Sequence, residues 1–177
     1  MPNQKNELKR SSYLIFFPLV FFMLILEIVR LPASIAPYRP DFTGMLLIFF
    51  AITDPKRINI GVAWLTGLVI DFLTGATLGI NALVLSGQVF IILSQFQHFA
   101  RFKLWQQMLV IGIVNFICHV GVYWCGHLLG QSSYSTNFTW QTIVTILTWP
   151  LIYILCMFLW KSFNINGATS KDQTTSD

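Results

Sequence analysis

GVAWLTGLVIDFLTGATLGINALVLSGQVF, residues 61–90, contains two apolar runs of helix length joined by a short glycine-rich turn, with one carboxylate, Asp71, near the end of the first. The spacing predicts a membrane-spanning helix on either side of that turn. Gly67, Asp71, Gly75 and Gly79 recur every four residues and would share one face of a continuous helix. Gly75 and Gly79 also bracket the turn, where a positive φ suits glycine. A carboxylate within an apolar span costs about 2.5–3.5 kcal/mol on insertion scales. Asp71 therefore needs a partner, and the remaining sequence is read for one.

The composition supports the membrane setting. Of 177 residues, 55% are hydrophobic and only 10% charged, against about 25% charged in ordinary soluble domains. Mean hydropathy is +0.65. The polar groups are too few to cover a globular surface, so the exterior faces lipid. The net charge of +4 does not point to nucleic acid, because the basic residues fall in short clusters between apolar runs and read as topology signals. Cys118, Cys125 and Cys156 lie inside apolar segments, as small buried hydrophobes rather than a disulfide or zinc framework.

Outward from the central stretch, the pattern predicts an all-α polytopic bundle of six spans, at about 13–31, 40–53, 58–73, 80–97, 107–129 and 140–160. A cytoplasmic lead (1–12) precedes this single domain (13–161), and a disordered cytoplasmic tail (162–177) follows it. The first apolar run meets Glu27 and Arg30 before any small-residue cleavage pattern, so it reads as an uncleaved helix rather than a signal peptide. Glu27 and Arg30 are close enough to pair. Pro18 should bend this helix, and Pro150 should kink the last one. Three prolines in PASIAPYRPD (32–41) end the first helix and make an external loop.

Residues 42–53 form an apolar run of only 12, about 18 Å as a helix, short for a span, and a re-entrant segment is the alternative to a crossing. QHFARFKLWQQ (97–107) reads as an amphipathic interfacial connector. Asn137–Thr139 matches a glycosylation sequon, a pattern common by chance. With both termini inside, Lys5, Lys9, Arg10, Lys56, Arg57, Arg101, Lys103, Lys161 and Lys171 are internal, and only Arg30 and Arg39 are external. The opposite orientation inverts that ratio, so the positive-inside rule puts both termini in the cytoplasm.

Few residues offer chemistry. Asp71 lies toward the external end of its helix, at a depth available to Arg39. It reads as a structural ion pair tying the hairpin to the Arg39–Asp41 loop, or as a cap on the Thr74–Leu78 turn. A proton or ion site is the sharper alternative, but no second acid shares the deep membrane region. Gly67, Gly75, Gly79 and Gly87 permit close helix approach. Asn115 and His119 share a helix face and suit interhelical hydrogen bonding. Thr139, Thr142, Thr145 and Thr148 form a small hydrogen-bonding stripe. The histidines and cysteines lack metal-ligand spacing. No nucleophile elbow, phosphate loop, HExxH or paired-carboxylate motif is present, and no cofactor, metal site or enzymatic activity is expected.

In order and spacing, several motifs resemble the MreD family of bacterial rod shape-determining proteins: Arg39–Pro40–Asp41 opening a short apolar segment, RINIG (57–61), GLVIDFLTG (67–75), Leu78–Gly79, Asn81–Ala82–Leu83, and LWQQ (104–107). The resemblance covers about residues 20–130; Asn81 stands where many members carry His or Gln. It implies a non-enzymatic inner-membrane component of the elongation machinery that builds side-wall peptidoglycan. It further implies a scaffold for a bitopic MreC-like partner, with an MreB-like actin homologue, a RodA-like glycosyltransferase and a penicillin-binding transpeptidase. The family's fold is similar to the six-helix substrate-binding subunits of energy-coupling-factor transporters. The six-span topology, with Asp71 facing a glycine-lined surface, makes a small-molecule-binding transporter subunit the alternative function. By position, Arg39, Pro40, Asp41, Gly67, Asp71, Gly75, Gly79 and Asn81 are the structural or partner-contacting candidates.

Overall fold

The computed structural model describes residues 13–29, 31–32, 35, 38–75, 77–95, 99–128 and 138–162. Among them are six α-helices and no strand: α1 (Tyr13–Ile28), α2 (Phe42–Thr53), α3 (Ile60–Thr74), α4 (Ile80–Gln95), α5 (Leu104–Leu128) and α6 (Phe138–Ser162), with a 3₁₀ turn at Phe99–Arg101. The expectations placed on the lead, Arg30, the side chain of Cys125, Asn137 and the tail lie outside the described residues.

Local chemistry sets several helix ends. Asp41 caps α2, its side chain accepting from the Gly44 amide. Asn59 caps α3 by accepting from the amides of Gly61 and Val62, satisfying donors that the first helical turn leaves free. Gly75 ends α3 in the left-handed conformation at φ 67°, and Gly79 sits at φ 98° before α4. Helix α3 thus stops at Thr74, and Gly75 and Gly79 shape a turn instead of continuing the face of Gly67 and Asp71. Helix α1 carries Pro18 and α6 carries Pro150 without interruption of either assignment. LWQQ (104–107), read as part of a connector, is the first turn of α5. The Gln106 side chain accepts from the Lys103 amide there and supports an earlier helix start.

Helix α2 is the axis of the bundle. Thr43 through Ala51 are all buried, with α1, α4 and α6 packed against them; α3 packs along α4 and touches α1, while α5 packs on α4 and α6. This 12-residue helix is enclosed by its neighbours rather than forming the exterior of the bundle. Phe50 stands edge-on to Phe16 of α1 and Trp160 of α6, and Trp149 packs edge-on to Phe99. The exterior is apolar: Phe17, Phe72, Leu151 and Phe158 are among the most exposed side chains. An aqueous protein would not sustain an apolar surface of this extent.

The bundle has two distinguishable ends. At one, the Tyr13 hydroxyl donates to the Arg57 carbonyl (3.3 Å), and the Arg57 guanidinium lies 5.8 Å from the Tyr13 ring centroid. Trp160, followed by Lys161, joins this end through Phe50. At the other end, the last turns of α1 and α3 meet around Arg39.

Candidate functional site: two buried carboxylates

Asp41 is 7% exposed and holds four helices together. Its Oδ1 accepts from the Gly44 amide of α2 at 2.8 Å. Its Oδ2 accepts from Gln88 Nε2 of α4 at 2.8 Å and from Asn115 Nδ2 of α5 at 3.0 Å. Its backbone amide donates to Thr145 Oγ1 of α6 at 3.0 Å. Thr142 closes the circuit, its hydroxyl donating to Asn115 Oδ1 at 2.9 Å. Gln88, Asn115, Thr142 and Thr145 are all buried, and His119 is buried one turn beyond Asn115. Hydrogen bonds to an ionised acceptor are roughly twice as strong as neutral ones, so this carboxylate is a junction rather than an isolated charge.

Asp71 is 1% exposed and serves the α3–α4 turn. Its Oδ2 accepts from the Gly79 amide at 2.8 Å and from the Ala82 amide at 3.4 Å. Its Oδ1 accepts from the Asn81 amide at 3.1 Å and from Asn81 Nδ2 at 2.9 Å. The carboxylate therefore caps α4 from within α3, where anionic groups are also favoured by the helix dipole. Gly67 sits across from the same segment. A Cβ there would lie 2.5 Å from Ala82 N and 2.7 Å from the Asn81 carbonyl carbon. The backbones of α3 and α4 touch at this point, and Asp71 lies one helical turn further on.

The predicted tie between Asp71 and Arg39 does not form; Asp71 is bound to its own hairpin. Arg39 instead reaches back to α1. Its Nη1 donates to the Glu27 carbonyl at 2.6 Å, and its Nη2 donates to the carbonyls of Leu26 and, at 2.6 Å, Val29. The last carbonyls of a helix have no partner within it, and one guanidinium fork satisfies two of them together with the Val29 carbonyl just beyond the helix. Pro40 links the two functions by separating Arg39, the cap of α1, from Asp41, the cap of α2.

Asp71 was legible as a polar exception in apolar sequence, Arg39 and Asp41 as the charged end of the proline-rich loop, and Asn81 only through the family resemblance. Gln88 was not singled out, since a glutamine in a helix reads as ordinary until its partner is known. Gln107 was missed for the same reason: its amide donates to the Phe99 and Phe102 carbonyls, and its Oε1 accepts from Trp149 Nε1 at 3.2 Å. The threonine stripe splits. Thr142 and Thr145 face the Asp41 cluster, Thr148 back-bonds to the Val144 carbonyl, and Thr139 is exposed. Among the described residues no three His, Cys, Asp or Glu side chains converge as a metal-binding group.

An all-helical bundle with an apolar exterior, interior carboxylates, and two helices, Leu104–Trp124 and Thr139–Ser162, long and apolar enough to cross a bilayer is the build of a membrane protein. The chain belongs to the MreD family: the family model described as rod shape-determining protein MreD matches residues 9–159. A protein of Haemophilus influenzae named rod shape-determining protein MreD is 30% identical over 148 residues, covering 81% of this chain and 87% of that protein. No solved structure matches the chain significantly.

Proposed function

We propose that the chain is a multi-pass inner-membrane scaffold for the rod-shape machinery, with six spans and both termini in the cytoplasm. The bitopic MreC-like protein is its most direct partner. The MreB-like filament, the RodA-like glycosyltransferase and a penicillin-binding transpeptidase belong to the same assembly. The observation carrying this reading is the internal engagement of both carboxylates. All four oxygens of Asp41 and Asp71 accept from protein donors, so the polar interior locks helices in register. A rigid apolar exterior then remains for partner helices and lipid. The two-ended geometry supports the topology, since Arg57 and Lys161 share one end while Arg39 lies at the other.

The transporter-subunit reading rests on the six-span topology and on Asp71 facing a glycine-lined surface. The second motive lapses, because Gly79, Asn81 and Ala82 occupy the carboxylate.

Depletion in a rod-shaped host should round the cells, and a tagged copy solubilised in mild detergent should bring the bitopic partner with it. Normal rods under full depletion, with no partner recovered, would refute the scaffold role. Single cysteines replacing Lys103 and Tyr38 should react with impermeant reagents from opposite sides of the membrane; labelling from one side would overturn the topology.

A further inference from the structure

Glu27 is an acid that neither carboxylate site uses. It lies in the last turn of α1, and its Oε2 is buried with no hydrogen-bond donor among the described residues. Beside it a cavity of about 440 Å³ lies where the ends of α1 and α3 meet, lined by Glu27, Arg39 and Thr74 and by the apolar side chains of Ile28, Val29 and Leu73. That volume is within the range of small-ligand sites, roughly 300–1,000 Å³.

The lining restricts what can occupy it. A buried carboxylate oxygen without a donor is costly, so the occupant supplies N–H or O–H groups. The Thr74 hydroxyl already donates to the Ile70 carbonyl at 2.7 Å, leaving only acceptor capacity toward the cavity. Arg39 contributes a full positive charge held in place by the Leu26, Glu27 and Val29 carbonyls, with further N–H groups of its five still available. One anion and one cation side by side match a zwitterion, whereas a purely anionic or cationic ligand leaves one of them uncompensated. Ile28, Val29 and Leu73 are each about half exposed at the rim, a surface suited to acyl chains.

We propose that this cavity binds an ethanolamine phospholipid, its primary ammonium donating to Glu27 and Thr74, its phosphate facing Arg39, and its chains running along Ile28, Val29 and Leu73. The proposal rests on the membrane-spanning reading above, which sets the ends of α1 and α3 at headgroup depth. A choline lipid has the same charges but no N–H, so the site should discriminate between the two.

The test uses the full-length protein, purified and delipidated, with binding followed by native mass spectrometry and by thermal unfolding. Ethanolamine and choline lipids of identical chains are titrated, alongside soluble phosphoethanolamine. Ethanolamine lipid should bind about tenfold tighter than choline lipid, the ratio commanded by one charge-assisted hydrogen bond. Glu27→Gln should bring that ratio near one without lowering the melting midpoint of the lipid-free protein. Thr74→Val, on an exposed position, should reduce it partly, and Arg57→Gln, at the opposite end of the bundle, should leave it intact. Equal binding of the two lipids by the wild type, or an undiminished ratio in Glu27→Gln, overturns the proposal. So does a full response to soluble phosphoethanolamine, which would make the ligand a free zwitterion. A carbonate-resistant membrane protein lacking the preference refutes this site alone; extraction by carbonate refutes the membrane reading beneath it.

Discussion

Asp41 Oδ2 accepts a hydrogen bond from Gln88 Nε2 at 2.8 Å, joining two buried side chains 47 residues apart. The same oxygen accepts from Asn115, so α2, α4 and α5 meet at one atom. In a bilayer-spanning bundle apolar side chains gain little by associating, since lipid tails are equally apolar. Packing and polar junctions of this kind are what set one arrangement of helices above its alternatives.

Asp41→Ala would leave the Gln88 and Asn115 amides buried without an acceptor, each worth about 1–3 kcal/mol when stranded. The melting midpoint in detergent should fall well below that of Asp54→Ala. Asp54 makes a partly exposed pair with Arg57 at 3.7 Å, a class worth about 0–1 kcal/mol. Equal midpoints for the two variants would show that Asp41 is not a junction.

Asp71→Leu should lower the steady-state level of the protein before it abolishes any specific partner interaction, because four donors of the α3–α4 turn lose their acceptor. Asn81→Ala removes one side-chain bond from that set and should cost about 1 kcal/mol. Immunoblots of membranes, read beside co-purification, separate the outcomes. A stable, abundant Asp71→Leu variant defective only in partner binding would reverse the assignment.

Gly67→Ala should destabilise by about 1–3 kcal/mol through overpacking, since a Cβ there meets the Asn81–Ala82 backbone rather than a movable side chain. Gly121→Ala is the control, as nothing lies within 4 Å of a Cβ at that position. Thermal unfolding of the pair in the same detergent should separate them by several degrees.

Arg39→Lys keeps the charge but replaces a planar fork with a single ammonium, which cannot hold the three divergent carbonyls of Leu26, Glu27 and Val29 as a guanidinium does. Faster proteolysis of the 31–39 segment is expected for Arg39→Lys, and faster still for Arg39→Ala. Cleavage at the wild-type rate in both variants would remove the capping role.

Read by itself, the sequence determined that the chain is helical, where its helices lie within a few residues, and which turns need glycine. Each of these is a local property. Transfer of apolar side chains out of water marks the helices, and positive φ at Gly75 and Gly79 marks a turn; the caps at Asn59 and Asp41, equally local, became legible only with the structure. Tertiary structure alone decided who answers each buried charge. Asp71 and Arg39 were plausible partners by depth and sign, yet Asp71 turns into its own hairpin and Arg39 onto the carbonyls of α1. Gln88 and Gln107 became junction residues only once α4 and α5 were rotated against α2 and α6. That rotation follows from packing across the whole bundle, and no short stretch of sequence carries its signature.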